Sequence, residues 1–299
     1  MNRNHLALFH AVALAGSISK GAAAVRVSQP AVSKQIADLE RSLGVRLLNR
    51  LPRGCALTDA GKILAGYAQR MKTMELDAKR AIEEFRGLQH GRLALGASLT
   101  IGSYVLPGVL GEFKRKHPAI ELQIEVANTH FVESALLGGT IELGLTEGPL
   151  DSDELDSEVF FEDELVAIAQ PGHPLLNRKS VSAREMVREP IILREEGSGT
   201  RSVIERALRR RGLRFKTALT LASPEAIKNA VAAGMGIAIV PRLIIGMELK
   251  AGSLGVIPVR DLVIQRPLHM QRLKGRSPSP AIEKFIEMLR KIGTAPQPV

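Results

Sequence analysis

The stretch "VSQPAVSKQIADLE", Val27 to Glu40, reads as a helix from Ala31 onward with Pro30 inside its first turn. Proline costs roughly 3 kcal/mol in a helix interior but little in the first turn, where the N–H groups have no intrahelical partner. At about 100° per residue, Val32, Ile36, Leu39 and Leu43 share one narrow arc that must pack inward, and Gly44 stands in the C-cap position. Gln29, Pro30, Ser33, Lys34, Ala37 and Arg41 fall on the outward side. That face is small, polar and basic near its N-terminal end. It can enter a groove closely, hydrogen-bond to base edges and phosphates, and add the partial positive charge of a helix end. Ser28 is placed to cap it, and Pro30 stiffens the tip.

Upstream, a short helix is expected over 18–25 with Ser17 as N-cap after Gly16. The start, "MNRNHLALFHAVALAGS", has the basic and apolar look of a secretory signal. Asn4, His5 and His10 interrupt it, however, and Leu6, Phe9, Val12 and Ala13 follow helical spacing, as in an amphipathic core helix. Two short helices before an outward-reading third make a helix-turn-helix. Downstream, "RLLNRLPRGCALT", Arg46 to Thr58, sets apolar residues about a Pro52-Arg53-Gly54 turn, with Arg46, Arg50 and Arg53 spaced along it. This predicts a basic β-hairpin wing. Residues 1–57 hold eight Lys/Arg against two acids, so +6 of the chain's +10 lies in its first fifth. That is the footprint of a polyanion-binding surface, with nucleic acid the leading candidate.

From Thr58 a long helix is predicted to about Leu88. Leu64, Tyr67, Met71, Met74, Ala78, Ala81, Phe85 and Leu88 alternate by three and four, the narrow seam of a two-helix coiled coil. A dimer would present two reading helices to half-sites about one DNA turn apart or a multiple of it.

The run "AGSISKGAAAVRVSQPAVSKQIADLERSLGVRLLNRLPRGCALTDAGK", without gaps, resembles the DNA-binding domain of LysR-type transcriptional regulators. The resemblance implies that Gln29, Pro30, Ser33, Lys34 and Arg53 face DNA and that Arg50 supports the wing or contacts phosphate. Position 34 is Lys where many members carry Arg, which keeps the charge but loses the planar fork. It also implies that the long helix is the linker through which subunits dimerise.

The rest of the chain, 91–299, carries 27 bases and 24 acids, a near-neutral balance that need not touch DNA. "GRLALGAS", "AIELQIEVAN" and "IELGLTEG" read as buried strands, with "YVLPGVLGEFKRKH" and "FVESALLGG" as helices between them, a rhythm that implies a parallel sheet. A second set follows: "DELVAIAQ", "EPIILRE", "TALTLA" and "GIAIV" as strands, "TRSVIERALRRRG" and "PEAIKNAVAAGM" as helices. "RPLHMQRL" and "PAIEKFIEMLRKIG" return as strand and helix. The chain leaves one α/β half near Glu164 and returns near Arg266. This resembles the family's effector-binding domain, a two-lobed fold of the type 2 periplasmic-binding-protein kind.

The fold expected is therefore α/β with an N-terminal all-α winged helix-turn-helix. Residues 1–58 form the DNA-binding domain, 59–89 the dimerising linker helix and 90–299 the effector domain. Lobe I takes about 90–163 and 267–299, lobe II about 164–266. Ligands of open α/β sheets sit beyond the carboxyl ends of strands, often at helix N-termini. "LGASLTIGS" places Ser98 and Thr100 there, and "REEGSGTRS" places Ser198, Gly199 and Thr200 there in the other lobe, with Thr129 a further candidate. The bland alternative is that these residues only cap helices. Family practice assigns the 98/100 and 198–200 positions to the effector cleft. "SLTIGSYVLP", "EVANT", "REEGSGTR" and "SPEAIKNAVAAGMGI" are similar to the CysL-like group.

Enzyme signatures are missing. "GMGIAI" follows a helix and enters a strand, the wrong order for a dinucleotide fingerprint, and "GSGTR" lacks a phosphate-loop Lys. No HExxH, paired-Cys spacing or nucleophile elbow occurs, and no cofactor or metal is implied. The single Cys55 excludes an intramolecular disulfide and suits a reducing cytoplasm. No segment has the roughly 18 apolar residues of a membrane span. The expected partners are double-stranded promoter DNA, a small effector guessed to be anionic, further copies as a dimer or dimer of dimers, and RNA polymerase. An exported solute-binding protein is the alternative. It leaves the reading helix and the seam unexplained.

Overall fold

The computed structural model describes residues 2–51, 54–85, 91–148 and 152–292, and the chain divides into two compact units, Met1–Leu88 and Gln89–Val299. The first unit holds α1 (Arg3–Ala15), α2 (Ile18–Ala24), α3 (Gln29–Leu43), the antiparallel hairpin β1 (Leu48–Leu51) and β2 (Gly54–Leu57), and α4 (Asp59–Phe85). The signal-like start is α1, with Leu6, Phe9 and Val12 buried against Ala22, Val32, Ile36, Leu39 and Leu47. Glycine is needed at one point of this core. A Cβ at Gly21 of α2 would stand 2.7 Å from the Val12 Cα, so a side chain there would drive the first two helices apart.

Two local expectations need correction. Ser28 occupies the N-cap position and its carbonyl accepts from Val32 N at 3.1 Å, but its hydroxyl makes no capping bond. Pro30 has removed one of the two N–H groups a capping side chain can serve. Leu43, placed on the inward arc, is 38% exposed, because it lies in the final turn before Gly44 (φ 70°), beyond the core formed by Val32, Ile36 and Leu39.

In the second unit the elements run β3 (Arg92–Ser98), a π-turn (Ile101–Val105), α5 (Leu106–Lys116), β4 (Glu121–Ala127), α6 (Thr129–Leu137), β5 (Leu143–Glu147) and β6 (Leu155–Ala169). Then come α7 (Ala183–Met186), β7 (Ile191–Arg194), α8 (Gly199–Arg210), β8 (Thr217–Leu221), α9 (Pro224–Ala232), β9 (Ile237–Pro241), α10 (Gly246–Ala251), β10 (Gly255–Val256), β11 (Ile264–Leu273) and α11 (Pro280–Ile292). One nine-stranded sheet has the order β4-β3-β5-β11-β6-β9-β7-β8, with β10 paired to β6. The pairs β3/β4, β3/β5, β7/β8 and β7/β9 are parallel, and their inner strands are buried on both faces, which is why they read as continuous apolar runs. The long antiparallel pair β6/β11 joins the two halves, with Asp163 opposite Arg266 and Glu164 opposite Gln265. One core packs α5 and α11 on β3, β5 and β11, and two others lie on opposite faces of β7 and β9. The result is two lobes on one sheet.

Candidate functional site

The outward face of α3 is open. Gln29, Pro30, Lys34, Ala37 and Arg41 are exposed and Ser33 is half-buried, while Val32, Ile36 and Leu39 are buried behind them. The Gln29 Oε1 accepts from the Ser19 hydroxyl at 3.0 Å, which fixes the side chain at the junction of α2 and α3. Its amide N–H₂ has no partner among the described residues. Arg41 is drawn to Asp38 at 2.9 Å, whereas Lys34 makes no ion pair among the described residues.

The wing is tied down at both ends. Glu40, in the last turn of α3, accepts from Leu47 N at 2.7 Å and Leu48 N at 3.1 Å, and Cys55 N donates to Gly16 O at 2.9 Å. Arg50 lies in β1 opposite Cys55, and its side chain, like the whole of Pro52 and Arg53, lies outside the described residues. Partial burial pushes the Cys55 thiol up, away from the reactive thiolate.

Along α4 the same pattern of exposure recurs. Thr58 caps the helix, accepting from Gly61 N at 3.0 Å. Ala68 and Thr73 are buried, yet Tyr67 (57%), Met71 (47%) and Met74 (71%) stand in solvent with Ile63 and Ile82. Ala78 is exposed, Leu64 is half-buried, and the side chains of Ala81 and Phe85 and the whole of Leu88 lie outside the described residues.

In the second unit the predicted effector residues gather at the carboxyl ends of the parallel strands. Ser98, Thr100, Thr129, Ser198 and Thr200 are all buried. Two of them cap helices: Ser98 Oγ accepts from Ile101 N at 3.4 Å and Ser198 Oγ from Arg201 N at 3.4 Å. Thr129 Oγ1 accepts from Gly199 N at 3.3 Å and donates to the Glu147 carbonyl at 3.4 Å, so α6 and α8 meet start to start across the lobe boundary. Gly199 is obligatory here, since a Cβ would lie 1.8 Å from the Glu147 carbonyl oxygen. The Thr200 hydroxyl donates to Glu147 Oε1 at 3.0 Å and accepts from Arg266 Nη1 at 2.8 Å. Arg266, fully buried, donates to Asp163 Oδ2 through Nη2 at 2.5 Å and Nε at 3.2 Å. Burial pushes the Asp163 carboxyl up against the opposing pull of Arg266, and Glu147 adds to the rise. Three buried polar atoms in this region, Thr100 Oγ1, Thr146 Oγ1 and Glu147 Oε2, have no partner among the described residues.

A second bridge crosses between the lobes at Tyr104. The π-turn, closed by Leu106 N on Ile101 O, carries Tyr104, whose hydroxyl donates to Glu225 Oε1 at 2.6 Å. Lys228 Nζ donates to the same hydroxyl at 2.8 Å, to Ile244 O at 3.1 Å, and pairs with Glu248 at 2.7 Å. Burial acts to lower the Lys228 ammonium, and the bonds to Glu248 and Tyr104 outweigh it, so its pKa is raised. Glu147, Asp163, Tyr104 and Lys228 escaped the sequence reading. Each is one residue of a strand or helix with no local motif, and only the fold brings their partners to them.

Among the described residues no group of three or more His, Cys, Asp or Glu could hold a metal, and no single helix is long and apolar enough to cross a membrane. Residues 3–62 match the family described as "Bacterial regulatory helix-turn-helix protein, lysR family", and residues 86–293 match "LysR substrate binding domain". A probable RuBisCO transcriptional regulator of Trichormus variabilis is 35% identical over 288 residues, 94% of this chain and 86% of the relative. The HTH-type transcriptional regulator CysL of Bacillus subtilis is 32% identical over 291 residues, 95% of each chain. The regulatory domain of Synechocystis CcmR, solved in complex with 2-PG, superposes with a TM-score of 0.64 at 29% identity, covering 68% of this chain and 98% of that one.

Proposed function

The chain belongs to the family of LysR-type transcriptional regulators, and from that premise we propose which of its residues meet DNA, effector and partner copy. Sequence-specific DNA binding under the control of a small-molecule effector is the family's activity. In this chain Gln29, Pro30, Ser33 and Lys34 read the groove, while Arg50 and Arg53 of the wing hold the phosphate backbone. The observation that carries this is the exposed polar face of α3 over a buried apolar one, with Gln29 held by Ser19. Gln29→Ala should bring the affinities for operator and random DNA closer together, measured by competition at fixed salt. An equal loss on both would remove Gln29 from base reading.

The effector enters between the lobes at Ser98, Thr100, Thr129, Ser198, Gly199 and Thr200. Convergence of helix starts on this region favours a small anion, and likeness to a regulatory domain that binds 2-PG supports a small-molecule occupant. The relatives include both RuBisCO regulators and CysL, so likeness does not select the regulated genes. Two copies pair through the exposed seam of α4, dimers pair in turn, and RNA polymerase is the further partner. The chain performs no catalysis and works in the cytoplasm, a reading supported by relatives that are regulators of transcription.

A further inference from the structure

The near-neutral balance of the C-terminal part conceals lobes of opposite sign. Residues 164–266 hold 17 Lys/Arg against nine Asp/Glu, whereas the remainder of 91–299 holds ten against 15. Six of the cations fall within Arg206 to Lys216, a stretch with no acid: Arg206, Arg209, Arg210, Arg211, Arg214 and Lys216. All six are exposed, on the last turns of α8 and the turn leading to β8, an edge strand of the sheet. None has a side-chain partner among the described residues, for the nearest acid in sequence, Glu205, is taken by Arg201 at 2.7 Å.

Lobe I differs in this respect. There Glu158 pairs with Arg290 at 2.8 Å and Glu112 with Lys116 at 2.5 Å. A basic last turn does complement the carbonyls at a helix end, and that accounts for Arg209 and Arg210. It does not account for four more cations before and after them, which repel one another in the absence of a counter-charge.

We propose that this patch is a second, sequence-independent DNA-binding surface: with α3 on its operator, Arg206 to Lys216 bind the phosphates of the flanking duplex. Five of the six are Arg, whose planar fork suits phosphate. The patch offers no exposed apolar anchor, because Leu213 and Phe215 pack onto the lobe core, so it lacks the desolvated centre of a protein interface. The chain already holds duplex through its first unit, which gives any second cationic surface a high effective concentration of DNA.

The test uses the full chain and two fragments, the operator alone and the operator with long flanks. The variant is Arg206→Gln/Arg210→Gln/Arg214→Gln. The control, Lys179→Gln/Arg184→Gln/Arg188→Gln, removes the same charge from exposed positions elsewhere in the lobe. On the long fragment the slope of log affinity against log salt should fall by about 0.9 for each phosphate that the variant leaves unneutralised. Affinity for the short fragment should stay at the wild-type value, and the control should match wild type on both. Preference for operator over random sequence on the short fragment tests the α3 reading separately. Unchanged slopes on the long fragment would overturn the proposal, as would an equal loss from the control. A loss of equal size on the short fragment would also overturn it, by placing the effect in the first unit. So would intact DNA binding with lost affinity for RNA polymerase, which would assign the patch to an acidic protein.

Discussion

Two buried hydroxyls of the interlobe region, one satisfied and one not, predict opposite responses to the same change. Thr200 Oγ1 links Glu147 to Arg266, so Thr200→Val leaves a buried carboxylate oxygen and a guanidinium N–H short of a partner. It should destabilise the chain by about 1–3 kcal/mol in a denaturant titration, with Thr200→Ser close to wild type. Thr100 Oγ1 has no partner among the described residues, so Thr100→Val should hold or raise stability while abolishing the effector response; a retained response would remove Thr100 from the site. A third position gives a pH dependence. Glu185 accepts from the backbone N–H and hydroxyl of Ser182, with Arg178 alongside, and is held down from 4.5 to about 2. Its contribution is complete above about 4.5 and is lost as the pH falls through about 2. Ser182→Ala should therefore lower stability at neutral pH and flatten its decline on acidification, as read by unfolding between about pH 7 and pH 2. Ser98, Thr129 and Thr200 were visible in the sequence because Ser and Thr at strand ends are informative locally. Glu147 and Asp163 were not, since their meaning depends on a partner 53 residues away in one case (Thr200) and 103 in the other (Arg266).

Among the elements, the π-turn before α5 has the clearest consequence. A turn wound one residue wide re-aims a side chain, and such turns often mark functional positions. Here it carries the residue that reaches Glu225 and Lys228 of α9, on the second lobe. Tyr104→Phe removes both hydrogen bonds and keeps the ring. It should cost about 1–2 kcal/mol of stability and raise the fraction of open lobes, seen as a larger radius of gyration of the effector-free protein in X-ray scattering. An unchanged radius would confine Tyr104 to a packing role. Helices and strands themselves were legible. The ends of α3, the wing and the βα alternation of the first lobe follow from caps, turn residues and apolar period, all of them local. The π-turn was not legible, because "TIGSYVLP" is equally compatible with an ordinary helix start. The Ser28 cap failed for a similar reason: sequence places the residue at the N-cap, but the side-chain bond depends on local geometry, and Pro30 leaves only one N–H for it to serve.

For the whole molecule, assembly and charge decide the behaviour. Tyr67, Met71 and Met74 leave an apolar stripe on α4 that its own unit does not cover. If α4 pairs as proposed, Met71→Glu with Met74→Glu should leave single chains in sedimentation and cost well over tenfold in affinity for a two-half-site operator, by removing the second reading helix. Retained pairing would move the interface elsewhere. Charge shows how a correct sum can mislead. Residues 91–299 are near-neutral as one block, and the charges separate only when the block is divided at the crossings expected near Glu164 and Arg266, where β6 and β11 run side by side. The third helix with its buried and open faces, the long helix after the wing and the succession of strands could be read straight from the residues, because each is written in spacing over a few turns and needs no distant partner. How the lobes hold each other could not. Glu147, Thr200, Arg266 and Asp163, like Tyr104 and Lys228, become a network only when a folded sheet closes the chain on itself and leaves buried polar groups to find their partners there.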